Sequence, residues 1–254
     1  IMKLQENFYA IILIGGMGSR FSKINQPPKQ LIKLNKRSLL ENLIISFVKN
    51  GINNFVLPLG YKKKYFIDFL ERKKKIFKKK VVLHRSTNKE INVNNINIFL
   101  FDAGIRSSKL LRIKQSLRYI NEENFFVTYG DGIANIELNK YLKIFKKKNK
   151  AIIASKYINS QYGHFKTIRG KLLKFEEKPI LKNPINIGYY FFTKEIFKNF
   201  YKDNYELENQ FINKMIKDDK LFIFTHKGFF FNIDRKIDLI NIKKNYKKIL
   251  LKLW

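Results

Sequence analysis

Phe8–Arg20 reads "FYAIILIGGMGSR", an apolar run that stops at a loop holding Gly15, Gly16 and Gly18 and closes on Arg20. A short continuous apolar run bounded by turn residues is a buried strand, here Phe8–Leu13. Glycines at its end let backbone N–H groups approach an anionic ligand, and an arginine adds a charged fork for phosphate. The loop is no Walker A sequence, because no Gly-Lys-Ser/Thr follows. Nor is it the dinucleotide fingerprint, because Phe21 stands where the third glycine belongs. Taken alone, it also suits any tight strand-to-helix turn.

Outward from this strand, apolar runs alternate with helical patterns. A helix is expected over Ser38–Asn50, stopped by Gly51, then a strand at Phe55–Leu59 and a basic helix over Tyr61–Phe77. Strands at Val81–Leu83 and Ile96–Phe101 precede a helix over Ser108–Ile120. A strand at Phe125–Tyr129, a helix over Glu137–Lys148 and a strand at Ala151–Tyr157 follow. This alternation predicts an α/β fold: a Rossmann-like, mostly parallel mixed sheet flanked by helices. After Gln161 the rhythm changes, and "YGHFKTIRGKLLKFEEKP" reads as a small antiparallel hairpin turning at Arg169-Gly170. A strand at Ile185–Thr193, helices over Lys194–Tyr201 and Leu207–Lys217, a strand at Leu221–Thr225 and a closing helix from Arg235 complete the chain. No repeat and no Pro/Gly/Ser linker separates domains, so residues 1–254 are expected to form one domain.

Composition narrows the function classes. The 254 residues can bury a sizeable core, and 45% hydrophobic with 15% aromatic content argues for a globule rather than disorder. No apolar run approaches the ~18 residues of a membrane span. Ile1–Phe8 shows no charged-then-apolar leader, so neither a signal peptide nor a membrane partner is expected. The absence of cysteine excludes disulfides and thiolate metal sites and fits a cytoplasmic address. The net charge of +32 invites a nucleic-acid reading. However, the basic residues are 43 Lys against nine Arg, scattered as helix faces and tips, whereas nucleic-acid readers favour Arg with stacking aromatics. A solvated basic surface is the simpler account, and no specific nucleic-acid partner is expected.

Ligands of open α/β sheets bind beyond the carboxyl ends of the strands. Asp131 in "VTYGDG" stands at such an end, and Asp234 in "GFFFNID" also ends an apolar run. Each alone could be a cap or turn residue. Together with the glycine loop and with Lys29, stiffened by Pro27-Pro28, they suit phosphates and a hydrated Mg²⁺, which takes one or two carboxylates. Glu177 and Lys178 in "FEEKP" and Asn186 in "NIG" are groups for sugar hydroxyls and a sugar phosphate, or else a polar hairpin edge. His84, His164 and His226 show neither ligand spacing nor a nucleophile partner, which excludes a zinc site and a hydrolase triad.

In order and spacing, "LIGGMGSR", "PPKQLIKLNKRSLL", "FLFDAG", "TYGDGIANIEL", "YGHFKTIRGKLLKFEEKP", "PINIGYYFFTKEIF" and "GFFFNID" resemble the sugar-1-phosphate nucleotidyltransferases over nearly the whole chain. The "TYGDG" form leans toward the branch that joins CTP to glucose-1-phosphate. The resemblance implies the nucleotide-diphospho-sugar transferase type of fold, with residues 1–157 as a nucleotide-binding half. Residues 158–254 would be a sugar-binding half with the closing helix. It implies a nucleoside triphosphate and a sugar-1-phosphate as partners, Mg²⁺ as cofactor, and leaves room for a homo-oligomer. By the same likeness Leu13, Gly15, Gly16, Gly18, Ser19 and Gly130 cradle the nucleotide, with Arg112 on the base side. Arg20 holds the outer phosphates, Lys29 contacts the reacting phosphates, and Asp131 and Asp234 hold the metal. Glu177, Asn186 and Gly188 line the sugar pocket, with Lys178 on the sugar phosphate. The chain departs from the family pattern at Lys109-Leu110-Leu111, where Thr-Gly-Gly belongs, and at Ile14, Ile187 and Arg235. These departures leave open another base or sugar, or a relative that binds without transfer.

Overall fold

The computed structural model describes residues 7–16, 26–34, 36–72, 96–198, 205–235 and 237–244, and the backbone of Val81–Arg85. Tyr9–Leu13 (β1) is buried along its whole length, because alternate side chains enter different cores. Ala10 and Ile12 join one apolar cluster while Tyr9, Ile11 and Leu13 join the other. A strand covered on both faces has no polar alternation to show, which is why the run in the sequence is continuous.

The remaining elements follow in chain order. Leu39–Lys49 (α1) precedes Asn54–Leu59 (β2), and Lys63–Arg72 (α2) precedes Val81–Arg85 (β3) and Ile96–Asp102 (β4). Lys109–Ser116 (α3) leads to Asn124–Tyr129 (β5) and Gly132–Ala134 (β6), then Leu138–Lys148 (α4) to Ala151–Lys156 (β7). His164–Ile168 (β8), Lys171–Glu176 (β9) and Ile185–Thr193 (β10) are followed by Asn213–Lys217 (α5), Leu221–Thr225 (β11) and Phe230–Asn232 (β12). Residues 237–244 form the described part of the closing helix. The main sheet has eight strands in the order β11-β7-β10-β5-β1-β2-β4-β3. β10 alone runs against its neighbours β5 and β7; every other pairing is parallel. The expected mostly parallel mixed sheet is found, with β8 and β9 as a separate antiparallel pair.

Local chemistry sets the element ends. α1 starts with a reciprocal cap: Ser38 N–H donates to Glu41 Oε2 at 2.6 Å, and Glu41 N–H donates to Ser38 Oγ at 3.2 Å. It stops at Gly51, whose φ of 93° an L side chain rarely adopts. α1, α2 and α4 send Leu43, Phe47, Phe66 and Tyr141 to one face of the sheet, while α3 sends Leu110 and Ile113 to the other.

Three expected helices are shorter or irregular. Ser108–Ile120 is α-helical only to Ser116 and then tightens to a 3-10 turn at Leu117–Tyr119. Lys194–Tyr201 is a 3-10 turn at Lys194–Phe197 in its described part. Leu207–Lys217 begins as a π-helical turn at Leu207–Ile212, because the Phe211 N–H reaches back five residues to the Glu206 carbonyl at 3.2 Å. That wide turn buries Leu207 and Phe211 together. Residues 73–77 of the expected second helix, and 245–254 of the closing one, lie outside the described residues. Among the described residues, no helix is long and apolar enough to cross a membrane.

Candidate active site

The pairing of β6 with β12 brings the two aspartates together. Asp131 directly precedes β6, Asp234 follows β12 by two residues, and the ladder runs Gly132 against Asn232. The Ile233 N–H then donates to the Asp131 carbonyl at 3.0 Å, one step beyond the last pair. Asn232 Nδ2 donates to Asp234 Oδ2 at 2.9 Å and fixes that carboxylate. Lys29 completes the group: its Nζ lies 2.9 Å from Asp131 Oδ2 and 3.1 Å from Asp234 Oδ1, and donates to the Ile233 carbonyl at 2.8 Å. Lys29 opens a 3-10 turn directly after Pro28, anchored by buried Leu31. Two acceptor-only carboxylates already sharing one cation are a donor set that fits Mg²⁺.

β1 ends between β2 and β5, at the point where the chain order reverses, and its following loop is stitched to both. Tyr61 N–H, after β2, donates to the Gly15 carbonyl at 2.9 Å; Gly130 N–H, after β5, donates to the Leu13 carbonyl at 3.1 Å. Ile14 is buried, and its Cγ2 would lie 2.5 Å from a Cβ added at Gly130, so only glycine fits there. Among the described residues, a Cβ on Gly16 would meet nothing within 4 Å. Gly18, Ser19 and Arg20 lie outside the described residues.

Arg112 lies against the loop after β1 with its guanidinium turned to the backbone. It is buried, and its five N–H groups are all taken by carbonyls: Ser107 at 3.1 Å, Ile14 at 3.1 Å, Pro58 at 3.2 Å, Gly15 at 3.4 Å and Gly104 at 2.9 Å. It clamps the ends of β1 and β2 to the loop after β4, leaving no donor for a nucleotide. Burial lowers its pKa and nearby Asp102 opposes that effect. Beside it lies a cavity of about 710 Å³ lined by Gly60, Lys63, Asp102, Gly104, Arg106 and Leu111 among others. Lys63 pairs with Asp102 at 2.6 Å on its wall. This bond, with the Gly104 N–H, holds the Asp102 carboxyl below the usual carboxylate range. Leu111, one of the departures from the family pattern, is thus an apolar wall of this cavity.

On the sugar side, Asn186 and Gly188 sit on β10 at a bulge against β7. Gly188 has φ of 73°, and a Cβ there would come within 2.4 Å of the Tyr129 ring. Ile187 is buried in the core, so its departure from the family pattern is a packing change. Glu177 and Lys178 are exposed and, among the described residues, form an ion pair only with each other, at 3.5 Å. No hydrogen bond or ion pair joins them to Asp131, Asp234 or Asn186. The hairpin root does reach the aspartate loop: Arg235 donates to Gln161 at 3.4 Å, and a Cβ on Gly163 would meet Glu177 Oε2 at 3.1 Å. Sequence reading missed Asn232 and Tyr129. Asn232 had a signal, since it stands two residues before Asp234 and so on the same side of an extended strand. His226 donates to the Phe229 carbonyl at 2.9 Å and His164 bonds Ser160 Oγ at 2.8 Å, so both are structural, as expected.

Glycines at a switch point, two strand-end carboxylates and a lysine make up an α/β site of the kind suited to a phosphorylated ligand. The chain belongs to the nucleotidyl transferase family, whose model matches residues 9–222. It is therefore a nucleotidyltransferase, as the order of its motifs implied. It is 30% identical over 258 residues to a probable glucose-1-phosphate cytidylyltransferase of Bacillus subtilis, covering 96% of this chain and 99% of that one. It is 33% identical over 201 residues to the D-glycero-alpha-D-manno-heptose 1-phosphate guanylyltransferase of Campylobacter jejuni, covering 75% and 78%. Among solved structures, HddC from Yersinia pseudotuberculosis complexed with GMP-PN shares the fold, with a TM-score of 0.70 at 20% identity, covering 94% of this chain and 99% of that one.

Proposed function

We propose that this chain transfers a cytidylyl group from CTP to glucose-1-phosphate, giving a nucleotide sugar and pyrophosphate. The observation that carries the chemistry is the meeting of Asp131, Asp234 and Lys29 at one point beyond β5 and β12. The likeness to a probable cytidylyltransferase over 99% of its length supports the substrates. Residues 1–157 supply the nucleotide side, and residues 158–254 supply the sugar side together with Asp234.

In this reading, an oxygen of the sugar phosphate attacks the α-phosphorus, and the bond to the pyrophosphate oxygen breaks. The attacking phosphate is already ionised, so no general base is needed. Alignment and charge neutralisation do the work. Asp131 and Asp234 would hold a Mg²⁺, which when bound would supply Lewis-acid stabilisation of the reacting phosphates. Lys29 turns its ammonium to the reacting phosphates, and Arg20 takes the outer ones. Arg112 acts indirectly, by holding Gly15 and the wall of the adjoining cavity. Asn186, Gly188, Glu177 and Lys178 receive the sugar phosphate, Glu177 and Lys178 from the exposed hairpin root.

The likeness to a heptose-phosphate guanylyltransferase favours a second reading, transfer of a guanylyl group on the same site. Pyrophosphate release with glucose-1-phosphate and each of CTP, GTP, UTP and dTTP separates the two. CTP-dependent release is expected. Release with GTP alone keeps the site and discards the base. No release with any nucleotide sinks the glucose-1-phosphate assignment, and nucleotide-dependent stabilisation without release marks a binding relative.

A further inference from the structure

One polar cluster lies between the base side and the sugar side without a part in the chemistry so far. Asn186 Nδ2 donates to the Tyr190 hydroxyl at 2.6 Å, the Tyr190 and Tyr129 hydroxyls lie 2.6 Å apart, and Tyr129 donates to Glu208 Oε1 at 2.5 Å. Lys109 Nζ bonds the same Glu208 oxygen and sits 4.8 Å from the Tyr129 ring centroid. Ser108 Oγ, at the start of α3, donates to the Tyr205 carbonyl at 2.9 Å and ties α3 to the segment carrying Glu208.

The direction of this chain is forced. An ionised carboxylate only accepts, so the single Tyr129 proton goes to Glu208. The Tyr190 proton must then point at Tyr129, and the Tyr190 oxygen receives the Asn186 N–H. At the other end of the same amide, Asn186 Oδ1 accepts from the Gly188 N–H at 2.8 Å. The amide is locked in one orientation, and among the described residues it has one N–H and one lone pair left for a ligand. Burial works against ionisation of Glu208, but the bonds from Lys109 and Tyr129 outweigh it and hold the carboxyl below its usual range. Burial raises both tyrosines, Tyr190 to about 12, so each keeps the proton the chain needs.

We propose that Glu208, clamped by Lys109, is a positioning residue that orients the Asn186 amide for the sugar hydroxyls through Tyr129 and Tyr190. This rests on Asn186 lying in the sugar pocket. Lys109 is the first residue of the stretch that replaces the family's Thr-Gly-Gly, so that departure is here part of sugar recognition. The position of Tyr129, against Gly188 and immediately before Gly130-Asp131, lets one ring serve both sides of the site.

Glu208→Gln keeps the shape but replaces an acceptor-only group with one that also donates, so the hydroxyl chain can reverse and the amide can flip. The expected result is a KM for glucose-1-phosphate raised about tenfold, the value of one well-placed hydrogen bond. The KM for the nucleoside triphosphate stays as in the wild type. Tyr190→Phe cuts the chain without touching Glu208 and gives the same split. Independently of turnover, the Asn186 side-chain amide signals in ¹H–¹⁵N spectra of the full chain, assigned by their loss in Asn186→Asp, move in Glu208→Gln. Unchanged Asn186 signals, equal rises in both KM values, or an unchanged sugar KM in both variants overturn the proposal. A wild-type chain that releases no pyrophosphate from glucose-1-phosphate defeats the functional reading instead, and the amide signals then decide the positioning role alone.

Discussion

Lys29 is 12% exposed, between an Asp131 at 27% and an Asp234 at 56%, so the three charges are half-withdrawn from water and interact more strongly than surface pairs. Asp131→Asn removes one of the two carboxylates proposed to hold the cation, with almost no change of shape. Pyrophosphate release should fall at least ~100-fold, as for loss of a charge-stabilising group, with an unchanged circular dichroism spectrum. Gly188→Ala tests packing. Its φ of 73° and the Tyr129 ring 2.4 Å from the new methyl should cost about 2 kcal/mol or more, read as a lower urea midpoint. Arg112→Lys keeps the charge but loses the planar fork, leaving carbonyls of three segments unpaired. A loss of about 2 kcal/mol with a raised nucleotide KM is expected from denaturation and kinetics together.

At the scale of elements, the three-pair β6–β12 ladder brings Asp131 and Asp234 side by side, and Lys29 bridges the two carboxylates. The turn into β12 is held by the His226 bond to the Phe229 carbonyl. Burial keeps the His226 pKa below the ordinary 6.5, partly opposed by that bond. The unfolded chain therefore binds more protons than the folded one just below pH 6.5. Stability is full above that pH and falls, by up to ~1.4 kcal/mol per pH unit, as pH drops toward the folded pKa. Urea midpoints from pH 7.5 to 5.5 should decline less steeply in His226→Asn than in the wild type.

For the whole molecule, the +32 charge sets a self-repulsion that opposes compactness. Added NaCl screens it, so the melting temperature should rise between roughly 0.02 and 0.3 M salt, a range in which the screening length shortens severalfold. The same charge draws in phosphorylated substrates. Duplex DNA should bind only weakly, with a steep salt dependence, and nucleoside triphosphate should displace it. DNA binding that nucleotide does not compete would favour the nucleic-acid reading that the lysine-rich composition argues against.

The strands of the sheet were legible in the sequence, because buried strands need continuous apolar runs and glycine readily takes the turns beside them. Phe8–Leu13, Gly51 and Arg169-Gly170 could be read for that reason. The sequence also named Asp131, Asp234 and Lys29, because only certain side chains can hold a cation or a phosphate. The β6–β12 pairing was not legible, being three residues a side, and neither was the π-helical turn that presents Glu208. Only the tertiary structure decided who meets whom. Lys29 and Asp234 are 205 residues apart and share a hydrogen bond, whereas Arg112, in a binding motif, is spent on backbone carbonyls. A side chain's type fixes what it can bond; the partners within its reach are set by long-range packing, which no local pattern records.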